Sequence, residues 1–176
     1  SEAARSSELA QEIEGNFDFI IDIHTTTSNM GITAILTQTD ERTRRAAAYL
    51  RSKHPDLILI ETIRTDDECC YVCNMAPSGF IFELGPVANN VIRFDLVMKA
   101  YDMVCDLLCW DFEGEQDLSQ VEYYKSYEDI KIPEGFYIHP DRENQDFVAI
   151  NPGDPLFINF EGQTINHKGP EVIFPM

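Results

Sequence analysis

The first 112 residues alternate between short apolar runs and segments whose apolar positions recur at helical spacing. The apolar runs, which predict buried strands, lie at 19–23, 32–37, 57–60 and 79–86. The helical segments lie at 7–14, 41–53 and 90–112. Asp40 is a candidate N-terminal cap for the second helix. Strands that alternate with helices are typical of an α/β layer with a largely parallel sheet.

The pattern changes after Phe112. A polar segment, 113–117, precedes short β-type runs at 121–127, 135–138, 147–150, 155–160, 163–166 and 171–174. The runs are separated by turn sequences such as Asn151-Pro152-Gly153-Asp154, in which glycine supplies the positive φ of a tight turn. The pattern predicts an α/β unit over residues 1–112 and a small β-rich domain over residues 113–176.

The apolar run 19–23 ends abruptly at His24, which is followed by a loop rich in threonine, serine and asparagine. We interpret the run as a strand buried on both faces. Ligands of open α/β sheets bind beyond the carboxyl ends of the strands, so His24 is a candidate functional residue. Asp22 is a candidate for orienting its imidazole. The alternative is a histidine that only caps a strand.

Glu83 is the second candidate, at the carboxyl end of the run 79–86 and between Phe82 and Leu84. A carboxylate there is costly to bury, and desolvation would raise its pKa. A raised pKa is the property of a general base or acid. The alternative is a glutamate that points into the following loop and has no chemical role.

The charge balance narrows the choice of partners. Among 176 residues, 31 are acidic and 13 are basic, which gives a formal net charge of −18. Nucleic acid and anionic membranes are therefore unfavourable partners, because such a surface repels phosphates. No apolar run has the length of a bilayer span, and the first residues lack the plan of a signal peptide. We expect a cytoplasmic protein.

Five cysteines, an odd number, lack the spacing of a secreted disulfide framework. They are Cys69, Cys70, Cys73, Cys105 and Cys109. Free thiols are the simplest interpretation, with a structural zinc site as the alternative. Five basic residues on the segment 41–53 are most simply a solvated helix face: Arg42, Arg44, Arg45, Arg51 and Lys53.

Three ordered motifs carry a family resemblance: Asp22-Ile23-His24-Thr25-Thr26-Thr27-Ser28-Asn29-Met30-Gly31, Phe82-Glu83-Leu84-Gly85-Pro86 and Asn151-Pro152-Gly153-Asp154-Pro155-Leu156-Phe157. Together they resemble the aspartoacylase branch of the succinylglutamate desuccinylase and aspartoacylase family, which consists of zinc hydrolases of the carboxypeptidase type. The resemblance implies that His24 is a zinc ligand and that Glu83 is the general base. It implies substrate-binding roles for Thr25 and Asn29, and a β domain that packs over the mouth of the site. The substrate would be a small N-acyl amino acid such as N-acetyl-L-aspartate.

The family takes its other two zinc ligands from a Gly-x-His-Gly-Asn-Glu motif that this chain lacks, and a family arginine falls at Cys73. We therefore expect the chain to be the central and C-terminal portion of such an enzyme. In isolation it should bind zinc weakly and turn over slowly. The alternative is a non-enzymatic module that binds a partner or oligomerises. Self-association is expected in either case, because a sheet without its first strands leaves an apolar edge.

Overall fold

The computed structural model describes residues 2–62, 71–112, 118–126 and 130–175. Its helices are α1 (Glu2–Ile13), α2 (Glu41–Lys53) and α3 (Phe94–Cys109), with three-residue or four-residue 3₁₀ turns at Val72–Met75, Leu118–Gln120 and Pro140–Arg142. Its strands are β1 (Ile20–Thr25), β2 (Ile32–Leu36), β3 (Leu57–Glu61), β4 (Gly79–Leu84), β5 (Tyr124–Lys125), β6 (Phe136–Ile138), β7 (Pro155–Asn159) and β8 (Thr164–Asn166).

The large sheet has five strands in the order β1-β4-β2-β3-β5. Three of its four strand pairs are parallel, and β2 runs antiparallel to β4. The α/β class and the largely parallel sheet are therefore confirmed. Since β4 lies between β1 and β2, the two strands that are consecutive in the sequence are not neighbours in the sheet.

Helices α2 and α3 cover the centre of one face of this sheet. Their buried residues pack with β2, β3 and β4 in one cluster that includes Leu50, Met103, Phe80 and Phe82. Helix α2 begins where the sequence predicts, because the Asp40 carboxylate accepts a 2.9 Å hydrogen bond from the Thr43 backbone N–H. Burying these apolar side chains is the main driving force for assembly of the layer.

The prediction that β1 is buried on both faces is wrong. Among the described strands it lies at the edge of the sheet, beside β4, and Ile23 is 50% exposed. An apolar run indicates that a strand has apolar neighbours. It does not indicate whether those neighbours lie on one face of the strand or on both. Here the helices pack over the central strands, and the second half of β1 extends beyond them.

The basic residues of α2 are only in part a solvated face. Arg44 donates to the buried Glu61 carboxylate at 3.0 Å. Arg51 donates to the Leu57 carbonyl at 2.8 Å, and the Arg42 guanidinium lies 4.6 Å from the centre of the Phe112 ring. These contacts fasten α2 to both ends of β3 and to the segment after α3.

The later residues form a second sheet, β6-β7-β8, which is antiparallel as the short runs predict. The run 121–127 contributes β5 to the large sheet instead, where Tyr124 pairs with Ile60. An isolated bridge between Ile150 and Ile173 joins the runs 147–150 and 171–174. The division at residue 112 stays a prediction. None of the helices in the described ranges combines the length and the apolar character needed to cross a bilayer.

Candidate active site

The pairing of β1 with β4 places His24 directly opposite Glu83. The two strands are parallel, so both residues lie at the carboxyl ends of their strands. Paired residues project from the same face of a sheet, and residues two apart on one strand do so as well. Asp22, His24 and Glu83 therefore share one face. Two candidates that are 59 positions apart in the sequence become neighbours.

The loop after His24 is held against the end of β4 by backbone hydrogen bonds. The Thr26 N–H donates to the Leu84 carbonyl at 3.1 Å, and the Gly85 N–H donates to the Gly31 carbonyl at 2.9 Å. A side chain at Gly85 would lie 2.6 Å from the Ser28 carbonyl oxygen, which is closer than Cβ atoms approach oxygen in proteins. Glycine is therefore required here for close contact between loop and strand.

The His24 imidazole is accessible and has an acidic neighbour. Its Nε2 atom lies 3.0 Å from Asp22 Oδ1, and its side chain is 55% exposed against 22% for Asp22. A carboxylate in this position fixes the ring orientation and makes the imidazole a better electron donor. The geometry suits the orienting role predicted for Asp22, and the ligand role of His24 stays a prediction.

Glu83 is in a different environment. Its Oε2 atom is buried and has no hydrogen-bond partner among the described residues. Burial raises the pKa of the carboxyl group, the nearby Asp22 charge adds to that rise, and His24 opposes it. A carboxylate oxygen that is desolvated and unpartnered is reactive toward a proton donor such as water.

Thr25 and Asn29, the expected substrate-binding residues, are both exposed. Thr25 ends β1 opposite Leu84, beside the His24–Glu83 pair. Asn29 lies farther along the loop, and its backbone N–H donates to the Asp146 carboxylate at 3.1 Å. Sequence reasoning missed Asp146, because nothing in the sequence of an isolated acidic residue 117 positions away signals this contact.

A catalytic zinc usually takes three protein ligands. Across the described ranges, no group of three His, Cys, Asp or Glu residues could hold a metal ion. His24 would supply one donor, and the unpartnered Glu83 oxygen lies beside it, so the described residues fit part of such a centre and do not complete it.

The three cysteines in the described ranges lie away from this site. Cys73 is fully buried, and its carbonyl oxygen lies close to Gly79, at the opposite end of β4 from Glu83. Cys105 and Cys109 are free thiols on α3. Cys69 and Cys70 lie outside the described residues, so the alternative of a structural zinc site there is not tested.

Comparisons of the sequence with known proteins found both a matching family model and individual relatives. A family model, the succinylglutamate desuccinylase/aspartoacylase catalytic domain, matches residues 1–108. A probable aspartoacylase of Trichodesmium erythraeum is 30% identical over 91% of this chain and 58% of its own length. N-acyl-aromatic-L-amino acid amidohydrolase (carboxylate-forming) B of Danio rerio is 30% identical over 99% of this chain and 62% of its own length.

Among solved structures, murine aminoacylase 3 shares the fold. It superimposes with a TM-score of 0.84 at 24% identity, over 98% of this chain and 63% of the murine chain. The chain thus spans less than two thirds of the length of these relatives.

Proposed function

This chain belongs to the succinylglutamate desuccinylase/aspartoacylase family, and on that premise we propose that it carries part of the active site of an N-acyl amino acid amidohydrolase. The observation that supports this most directly is the unpartnered, buried Glu83 oxygen next to His24. A structural glutamate would have its lone pairs satisfied. An oxygen without a hydrogen-bond partner at the carboxyl ends of two strands suits a group that receives a proton during the reaction.

In the proposed reaction Glu83 acts first as a base and then as an acid. It accepts a proton from the attacking water while the water oxygen forms a bond to the amide carbonyl carbon. The C–N bond then breaks, and Glu83 returns the proton to the leaving amine. The products are a carboxylic acid and a free amino acid. The raised pKa of Glu83 serves the first half, because a more basic carboxylate accepts the proton of the water more readily.

We further propose that His24 is one ligand of a catalytic zinc ion, with Asp22 orienting its ring. Zinc, when bound, polarises a carbonyl group and acidifies a coordinated water. A complete centre needs two donors besides His24. The 176-residue chain alone should therefore bind zinc weakly and turn over slowly.

The substrate is a small N-acyl amino acid, consistent with the names of the relatives. Those names divide between an aspartate derivative and aromatic amino acids. In this chain the position of the family arginine is the buried Cys73, at the far end of β4. An acidic substrate such as N-acetyl-L-aspartate would then lack one cationic partner, so both substrate classes need to be assayed.

The test is Glu83→Gln, assayed with added zinc on N-acetyl-L-aspartate and on an N-acetyl aromatic amino acid. We expect the slow turnover of the parent chain to fall by about 10²–10⁴-fold, the usual contribution of a general base. The matched control, Glu134→Gln, changes an exposed glutamate and should retain the parent rate. Equal rates for the parent chain and Glu83→Gln would contradict the proposal.

The test of metal binding uses cobalt(II), because the absorption spectrum of this ion depends on its ligands. His24→Ala should abolish the cobalt spectrum of the parent chain. His54→Ala should keep it, because His54 is paired with Asp106 on the helical side of the sheet. An unchanged spectrum in His24→Ala would show that the metal binds elsewhere.

A second candidate, a self-associating module, is favoured by exposed apolar surface. Helix α3 exposes Phe94, Tyr101 and Leu108 at seven-residue spacing, a period that suits packing against another helix. We propose a second copy of the chain as the occupant. Sedimentation of the parent chain and of Tyr101→Lys, compared for oligomeric state, tests this proposal. A monomer at all concentrations for the parent chain would contradict it.

A further inference from the structure

The loop that follows β1, residues 26–31, also contacts the second half of the chain, through Asn29. The Asn29 backbone N–H donates to Asp146 Oδ2 at 3.1 Å. The Asn29 side-chain amide donates to the Asn144 carbonyl at 3.0 Å. Two donors of one loop residue are thus bound by a single turn, residues 144–147.

The turn that supplies these acceptors is strained. Asn144 has φ of 57° and Phe147 has φ of 59°. Asparagine tolerates this left-handed region, but a bulky aromatic residue is a genuine outlier there. Such strain persists only where the surroundings over-determine the conformation. Asn144 and the strained Phe147 lie on either side of Asp146, in the turn whose carboxylate accepts from Asn29.

Contacts with neighbouring residues hold the turn in this conformation. The Phe147 N–H donates to the Pro175 carbonyl at 2.7 Å. The Phe147 ring lies 4.9 Å from that of Tyr124, which in turn lies 5.3 Å from Phe174. Tyr124 belongs to β5 and hence to the large sheet. The turn is therefore fastened to the sheet on one side and holds the His24 loop on the other.

The loop is thereby fixed at two places. Gly85 holds it against the end of β4, and Asp146 with Asn144 holds it against the turn. Without the second attachment, the exposed middle of the loop would be free to move away from the second half of the chain. The distance between the middle of the loop and that half of the molecule depends on this contact.

We propose that Asp146 is a positioning residue that sets the width of the site mouth and thereby the size of the N-acyl amino acid admitted. This inference rests on the proposed function for its substrate class. Asp146 touches no reacting group and acts through Asn29. The role predicted for Asn29 in binding substrate then becomes secondary to its role in holding the loop.

Hydrogen exchange followed by NMR tests the attachment independently of activity. In Asp146→Ala we expect the Asn29 amide to exchange about tenfold faster, as for the loss of one hydrogen bond. The Ile150 amide, which donates to the Ile173 carbonyl at 2.8 Å, should keep its rate and so report that the region stays folded. Unchanged exchange at Asn29 would overturn the proposal.

Two variants sharpen this test. Asp146→Asn keeps an acceptor oxygen and should restore most of the protection of the Asn29 amide. Glu143→Ala removes an exposed negative charge three positions before Asp146 and should behave as the parent chain. Faster exchange in Glu143→Ala equal to that in Asp146→Ala would mean that charge, and not the hydrogen bond, is responsible, and would also overturn the proposal.

The activity arm compares N-acetyl with bulkier N-benzoyl substrates. Asp146→Ala should lower the preference for the small acyl group about tenfold, mainly through KM, and leave kcat for the N-acetyl substrate within about twofold. An unchanged preference would overturn the selectivity role. If the parent chain shows no turnover at all, the proposed function fails, while the exchange measurement still decides whether Asp146 positions the loop.

Discussion

Strands β4 and β1 carry the two candidate residues at paired positions, yet their surroundings differ sharply. Strand β4 lies between two partners, and Phe80 and Phe82 are fully buried beneath the helices. Strand β1 lies at the edge among the described strands, and its last three residues are exposed. The burial of β4 raises the pKa of Glu83, whereas the ring of His24 stays accessible beside Asp22.

This contrast shows how one pair of strands can provide two kinds of chemistry. A base is tuned by desolvation and so belongs on the buried strand. A residue that must meet a ligand belongs on the exposed one. Substitutions on the two strands should therefore have very unequal effects on the free energy of unfolding.

The largest effect is expected for Phe80→Ala. The ring is fully buried and packs against Phe19 and Phe82, with ring centres 5.5 and 5.1 Å away. Removing it leaves a cavity and should lower the free energy of unfolding by about 3–5 kcal/mol. Urea denaturation followed by Trp110 fluorescence measures this. A loss below about 1 kcal/mol would show that β4 is not in the core.

Gly85→Ala should come next. The added methyl group would overlap Thr26 and the Ser28 carbonyl, so the loop must shift, at a cost of about 1–3 kcal/mol. The shift also moves His24 relative to Glu83. Turnover should therefore fall by a larger factor than the equilibrium constant for folding does. Ala88→Ser adds one atom at a nearby exposed position and is the control. Equal turnover in the two variants would argue against the close contact.

Asp40→Ala should cost about 1–2 kcal/mol, the usual value for a lost N-cap. Burial alone would raise the pKa of Asp40, but hydrogen bonds from Thr43 and Ser78 outweigh it and lower the pKa. The charged carboxylate therefore stabilises the fold above its ordinary pKa, and this contribution is lost as the pH falls through the lowered value. The Tm difference between parent chain and variant should shrink from pH 7 toward pH 3. A constant difference would contradict this account.

The smallest effect is expected for Ile23→Thr. The side chain is half exposed on the edge strand, and threonine keeps the β-branch, so the free energy of unfolding should change by less than about 1 kcal/mol. Thermal unfolding at two protein concentrations measures it. A loss as large as that of Phe80→Ala would mean that another molecule covers β1 in solution.

Local signals in the sequence predicted part of the fold and part of the candidate site. Helix α2 and its cap follow from residues within one turn of Asp40, and the carboxyl-end positions of His24 and Glu83 follow from where two apolar runs stop. The exposure of β1 did not follow, because it depends on which strands are neighbours. The transfer of β5 to the large sheet and the contact of Asn29 with Asp146 also required the tertiary arrangement.

The position of β4 between β1 and β2 has a consequence for how this site can change. The six residues from Thr26 to Gly31 join two strands that are separated by a third, so they cross the end of β4 over about 10 Å, two interstrand spacings. They form a bridge above the strand that carries Glu83. Lengthening or shortening this bridge would alter access to the carboxylate without replacing His24 or Glu83, which makes loop length the natural variable for adapting the site to larger or smaller substrates.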